Sequence, residues 1–357
     1  DSVHSLFATA RKYAPAILFV DEIDAIAKER ATTGVNDTTG DVLTAFLTEM
    51  DGFNVDSSKP VFVLAATNYD VEPGGNKSLD SALLRRFDRR IFVDLPNKEE
   101  RKTFVHKRME KSHNILLSEE QIENIATRST GMSLAELDSV FELAMRSVVR
   151  MNQNCVDDKA FEEAFETFNG GEVKKWSTDS LLRTARHEAG HALLCWLSGE
   201  KPSYLTIVAR GSHGGYMQHA DSEGKGLYTK KELLDRIRTA LGGRASEIVY
   251  YGADEGISTG ASGDLKSATQ IALQMICNYG MDEEFGLAYF DSENVKSIND
   301  LRTRINKILE NELQTAIKVI STYQKNLDEL VNVLMEKNHL KGSEIDEILR
   351  HTQCKDK

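Results

Sequence analysis

The sequence predicts an α/β sheet domain, then a small helical domain, then a separate and mainly α-helical domain. Three observations carry that reading: two apolar runs of strand length at 16–20 and 61–66, an unbroken helical pattern over 97–168, and a strong helical stretch opening at 179 beyond a Gly170-Gly171 break. At 357 residues the chain has room for two or three domains of roughly 150 residues, each burying its own core.

The first residues have helical spacing (Val3, Leu6, Phe7, Ala10) and begin on Asp1 rather than Met, so the chain is expected to start inside a longer gene product. AILFV (16–20) runs into Asp21 and Glu22, and VFVLAA (61–66) into Thr67 and Asn68. Continuous apolar runs of this length predict parallel strands buried on both faces. Between them 40–50 reads as a helix (Val42, Leu43, Phe46, Leu47, Met50), and a third short strand is expected at 91–93, before Leu95-Pro96. Strand, helix, strand predicts a doubly wound sheet.

Helices are expected near 99–111, 119–129, 133–151 and 157–168. Gly170-Gly171 and the polar residues up to Ser177 break the periodicity and form the best linker candidate. Beyond it come a helix at 179–198, a strand at 204–210 and further helices to Arg350, whose apolar stripes (Leu301, Ile305, Ile308; Leu327, Leu330, Leu334) read as core packing.

Composition excludes several classes of function. With 44 Lys and Arg against 56 Asp and Glu the chain carries a net charge of −12, a field that repels nucleic-acid phosphates, so no nucleic-acid partner is expected. Cys155, Cys195, Cys277 and Cys354 lie far apart without a CxxC pair, which indicates neither a zinc ribbon nor a disulfide scaffold. No apolar run approaches the ~18 residues of a membrane span, and the chain itself is expected to be soluble.

HEAGH (187–191) fits HExxH. On a helix, two histidines four residues apart project from one face about 6 Å apart, matching tetrahedral Zn2+. Glu188, about 100° further round, can take a proton from a zinc-bound water and leave a hydroxide nucleophile. Leu182, Ala185, Ala189, Leu193 and Trp196 form the opposite stripe, so the imidazoles lie off the core-facing side. A third ligand is needed, and Glu247, Asp254, Glu255 and Asp264 all qualify by chemistry. Asp264, in the turn-rich TGASGDL (259–265), is placed to open a helix, where it could equally act as an N-terminal cap.

ILFVDE (17–22) is an apolar strand ending in adjacent acids, the arrangement that holds Mg2+ and polarises water in phosphate-cleaving ATPases. Asn68, at the end of the neighbouring strand, is placed to orient the same water. RRFDRR (85–90) sets four guanidiniums in six residues, which can stabilise a transferring phosphoryl group or serve as solvated surface charge. No GxxxxGK[ST] loop occurs; GASGDLKS (260–267) fails because Leu265 stands where a glycine must let backbone approach phosphate.

Together these motifs resemble the FtsH family, ATP-dependent AAA+ zinc metalloproteases whose peptidase half is peptidase family M41. ILFVDEIDAI looks like the family's Walker B strand, EMDGF and AATN its following helix end and sensor strand, HEAGHALLCWL its zinc helix and STGASGDLKSAT its third-ligand segment. The resemblance implies a partial AAA+ α/β subdomain at 1–96, a helical lid at 97–169, a linker at 170–176 and a zincin-type zinc peptidase domain at 177–351. It further implies zinc on His187, His191 and Asp264, Glu188 as general base, Asp21 and Glu22 serving Mg2+ and water, Asn68 sensing the γ-phosphate of ATP, and Arg86 and Arg89 as fingers reaching a neighbouring subunit.

A homohexamer that threads unfolded or membrane-extracted polypeptides to the zinc sites is what the family offers. The membrane would be reached only through a region preceding this chain, which would itself lie on the cytoplasmic face. The family's P-loop and aromatic pore loop also precede the Walker B strand, so this chain alone is expected to bind ATP poorly. The usual Arg-Pro-Gly-Arg-Phe-Asp-Arg is two residues short here, at Arg85-Arg86-Phe87-Asp88-Arg89, and an unusual Glu72-Pro73-Gly74-Gly75-Asn76 precedes it. The alternative is a non-proteolytic AAA+ remodelling or assembly scaffold with a vestigial metal site.

Overall fold

The computed structural model describes residues 2–27, 38–51, 60–69, 79–112, 114–171, 173–210, 214–219, 226–290 and 299–355. The Glu72–Asn76 loop and Gly52 and Phe53 of the EMDGF motif lie outside the described residues. Contacts divide the chain into two compact units, Asp1–Asp94 and Leu95–Lys357.

In the first unit α1 (Ser2–Lys12) leads into β1 (Ala16–Val20), then α2 (Thr38–Asp51) and β2 (Val61–Ala65), with α3 (Ser81–Leu84) following. β1 and β2 pair in parallel, Ala16 opposite Val61 and Val20 opposite Ala65. Phe7 of α1 and Leu43 and Phe46 of α2 bury against Leu18, with Val20, Val63 and Ala65 packed beside them. The Asp80 carboxylate caps α3 by accepting from the Ala82 and Leu83 N–H groups.

Two expectations for this unit need correction. Both helices pack on one face of the sheet, so Ile17, Phe19, Phe62 and Leu64 on the other face are 54–72% exposed and the strands are not buried on both sides. Residues 91–93 form no strand: Ile91, Phe92 and Val93 are exposed, and the sheet has only β1 and β2 among the described residues. β-branched and aromatic residues favour a strand, but with no neighbouring strand among the described residues to take their backbone hydrogen bonds they do not make one.

The second unit opens with α4 (Lys98–Lys111), α5 (Glu119–Arg128), α6 (Leu134–Arg150) and α7 (Asp158–Gly170). Capping boxes start the first three, Asn97 with Glu100, Ser118 with Gln121 and Ser133 with Glu136. Their apolar faces meet in a core that includes Val105, Ile125, Phe141 and Phe161. Next come α8 (Thr178–Leu197), β3 (Pro202–Thr206), β4 (Tyr216–His219), α9 (Lys230–Ala240), α10 (Gly242–Glu255) and α11 (Ser262–Cys277). The chain then forms α12 (Asn299–Thr322), α13 (Gln324–Lys337), β5 (His339–Lys341) and α14 (Gly342–Lys355). β3 is central in an antiparallel sheet of order β4-β3-β5.

The strand expected at 204–210 is thus shifted to Pro202–Thr206, and Arg210 makes only an isolated bridge to Val173. That bridge and the Lys174 N–H bond to the Ala209 carbonyl pin the stretch after α7. Arg128 of α5, 2% exposed, is buried between α7 and the sheet: it pairs with Glu162 and Glu166 and lies 3.4 Å over the Tyr204 ring. No helix among the described residues is long and apolar enough to cross a membrane.

Candidate metal centre

α8 has two faces with different duties. Ala185, Ala189 and Leu193 enter the core shared with α12, α13 and α14, as the apolar stripe predicts. His187, Glu188 and His191 turn the other way, into a cavity of about 1200 Å³. The two histidines are nonetheless only 6% exposed and Glu188 9%, because neighbouring helices close over them.

Glycine makes that closure possible. A Cβ on Gly190 would lie 2.4 Å from the Gly242 carbonyl oxygen, so α8 and α10 touch backbone to backbone at the third position after His187. The next residue, Gly243, sits against the His187 ring, where a Cβ would come within 2.3 Å of Nε2.

The imidazole rings have centroids 4.9 Å apart. Both Nε2 atoms turn to one oxygen of Asp264, which sits in the first turn of α11: Oδ2 is 3.2 Å from His187 and 3.5 Å from His191. The three donor atoms all lie within 4.8 Å of one another. Zinc bonds of about 2.0–2.2 Å set tetrahedral neighbours roughly 3.3 Å apart. The donor set and its size therefore fit a Zn2+ ion, with room towards the cavity for a further ligand.

The outer nitrogens are held as well. His191 Nδ1–H donates to the Thr239 carbonyl at 2.7 Å, and His187 Nδ1 stands 3.4 Å from Glu247 Oε1. Glu247 is 2% exposed and accepts from the Ser258 hydroxyl at 3.0 Å. A partner on Nδ1 fixes the tautomer that presents Nε2 to a metal. Of the acids left open by spacing, only Asp264 joins the histidines; Glu247 stands behind His187, and Asp254 and Glu255 are exposed at the end of α10. Thr239 and Glu247 were not recognisable as positioning groups in the sequence, since both lie some fifty residues or more from the motif and nothing in their local pattern marks them.

Charge matches this geometry. Burial works to raise the Asp264 pKa, but the hydrogen bonds from His187 and His191 outweigh it and hold the carboxyl well below its usual range. Burial works to lower His187, and Asp264 and Glu247 overcome it, lifting the imidazole to about 10. This cluster of acids around two imidazoles is built to hold positive charge.

In the first unit, Asp21 and Glu22 follow β1 and Asn68 follows β2, at the same end of the parallel pair, and all three are exposed. The strand ends stay linked beyond the sheet, the Ile23 N–H donating to the Ala66 carbonyl at 3.0 Å and Thr67 Oγ1–H to Asp24 at 2.8 Å. Glu22 has a left-handed backbone, φ 49°, ψ 48°. Arg86 is engaged by its own unit: it binds Asp51 through Nε at 2.8 Å and a terminal nitrogen at 2.6 Å, and donates to the Ala82 carbonyl. Arg89 is exposed.

An α/β unit of ATPase type followed by a HExxH metal domain is the class that fold and site define. Residues 175–348 match the model of peptidase family M41, and residues 1–95 that of the ATPase family associated with various cellular activities (AAA). The ATP-dependent zinc metalloprotease FtsH of Thermotoga maritima is 36% identical over 97% of this chain and 59% of its own length. FtsH 1 of Methylacidiphilum infernorum is 37% identical over 98% of the chain and 57% of its own, and FtsH 2 of a Thermoanaerobacter species 37% identical over 96% and 66%. The chain belongs to the FtsH family, and it spans a little under three fifths of the length of the first of these relatives.

Proposed function

We propose that the chain is the proteolytic part, with a portion of the ATPase, of an ATP-dependent zinc metalloendopeptidase. One observation carries this reading: His187, His191 and Asp264 converge on a single point in the cavity wall, with Glu188 beside them. His187, His191 and Asp264 would hold Zn2+, which when bound supplies a Lewis acid for the scissile carbonyl and for water.

The chain's own residues do the rest. Glu188, lining the same cavity, takes the proton from the attacking water and returns it to the departing amine. Thr239 and Glu247 keep the imidazoles turned inward. The cavity exceeds the ~300–1,000 Å³ of ordinary small-molecule pockets, as an extended polypeptide requires. Unfolded or membrane-extracted polypeptides are the substrates.

In the full-length protein Asp21 and Glu22 would serve Mg2+ and water and Asn68 the γ-phosphate of ATP, supported by their meeting at one end of the sheet. Arg89, and Arg86 once released from Asp51, would reach a neighbour's nucleotide in a homohexamer. Membrane attachment, with this chain on the cytoplasmic face, would come through a region preceding it. A scaffold with a vestigial site is disfavoured by the complete set of metal donors and their outer partners.

Glu188→Gln in the full-length protein should abolish cleavage of unfolded casein while zinc stays bound. Casein cleavage persisting in that variant would remove Glu188 as the base.

A further inference from the structure

One turn beyond His191, on the same side of α8, comes Cys195, which is fully buried. Its Sγ lies 3.4 Å from Nδ1 of His219 on β4, and the same Nδ1 lies 3.4 Å from Oε2 of Glu200, just past the end of α8. These three donor atoms also fall within 4.8 Å of one another, the second such group among the described residues. Zinc bonds of about 2.3 Å to thiolate and about 2.0–2.1 Å to imidazole or carboxylate set tetrahedral neighbours roughly 3.3–3.6 Å apart. The two 3.4 Å separations match edges of that tetrahedron.

The donors are held by separate pieces of structure. Cys195 sits fully buried in the last turn of α8, and His219 is fixed by the pairing of β4 with β3, in which it stands opposite Pro202. Glu200 is oriented from α9, where Arg236 lies 3.4 Å from its other oxygen, Oε1. Arg236 is itself held, stacked 4.1 Å over the Tyr228 ring and bonded to the Tyr228 hydroxyl. Oε2 is thereby left facing His219. Glu200 and His219 line the cavity while Cys195 closes the back, so an ion has a way in and an open coordination position on the cavity side.

We propose that Cys195, Glu200 and His219 bind a second divalent ion, of the zinc class, on the wall of the same cavity and separately from the HExxH ion. Thiolate, imidazole and carboxylate together select zinc-like metals over calcium and magnesium, which take oxygen ligands. As the bond from Cys195 Sγ to the metal forms, the thiol proton leaves to solvent.

Cobalt(II) tests this with a signal the first site cannot give, because only a sulfur ligand yields a thiolate-to-cobalt charge-transfer band in the near ultraviolet. Co2+ added to the purified, zinc-containing protein after dialysis should produce that band at one equivalent per chain. Cys195→Ser should remove it. His219→Ala, at a side chain 47% exposed and so tolerant of truncation, should weaken cobalt binding by about tenfold or more. Asp264→Ala should lose the first ion and keep the band, which separates this site from the catalytic reading. Absence of the band, or a band that survives Cys195→Ser because another cysteine supplies it, overturns the assignment.

Discussion

Replacing Gly190 by alanine sets two physical effects against each other. Helix propensity alone favours the change by about 0.8–1 kcal/mol in a helix interior. Packing opposes it: the new methyl would lie 2.4 Å from the Gly242 carbonyl oxygen and 2.7 Å from Ser246 Cβ, where ordinary contact is 3.4–4 Å. The oxygen belongs to the backbone of α10, so no rotamer change relieves the clash and the helix must retreat. Overpacking costs about 1–3 kcal/mol, and so rigid a contact belongs at the upper end, leaving a net loss of about 2 kcal/mol after the propensity gain. Because α10 also carries Gly243 against the His187 ring and Glu247 behind it, zinc affinity should fall with stability. Urea unfolding followed by circular dichroism, with zinc affinity from chelator competition, measures both. Gly263→Ala is the matched control, since a Cβ there meets nothing within 4 Å, and it should be neutral or stabilising by up to about 1 kcal/mol. If Gly190→Ala behaves like the control and binds zinc as tightly as the parent, the close helix contact is wrong.

Arg128→Met should destabilise by about 3–5 kcal/mol, because it leaves the Glu162 and Glu166 carboxylates without their buried cation; a loss below about 1 kcal/mol in urea unfolding would contradict this. Asp346 provides a pH test. It accepts from Trp196 Nε1–H at 2.9 Å, and that bond, aided by Arg350, lowers its pKa below the usual ~3.9. A lowered carboxylate contributes stability that is present above its unfolded value and lost as pH falls through the folded one. In a Trp176→Phe background the emission of Trp196 should therefore change with a midpoint below pH ~3.9, and a midpoint above that value would deny the bond.

Much of this structure is legible in the chain because local pattern and tertiary fate agree. AILFV becomes β1 without a shift, and the capping residues Asn97, Ser118 and Ser133 start their helices where the pattern begins. The HExxH helix follows from two periodicities on one element, an apolar stripe for the core and imidazoles opposite. The failures occur where long-range partners decide. Ile91, Phe92 and Val93 have strand chemistry and no strand to pair with among the described residues. β4 and β5 are only four and three residues long and owe their form to β3, so no periodicity announces them. Glu247 and Asp264 are both acids downstream of the motif, and only the path of α10 and α11 makes one a partner of His187 Nδ1 and the other a neighbour of both Nε2 atoms. Cys195 carries one sequence signal: it follows His191 by four residues, on the same helical face.

Zinc content after exhaustive dialysis against metal-free buffer tests the centre most directly. In a Cys195→Ser background, which removes the proposed second site, the protein should retain about one tightly bound zinc per chain, and adding Asp264→Ala should leave almost none while keeping its helical circular dichroism. Stoichiometric zinc after adding Asp264→Ala, or none in the Cys195→Ser background alone, would contradict the grouping of His187, His191 and Asp264 around a single ion.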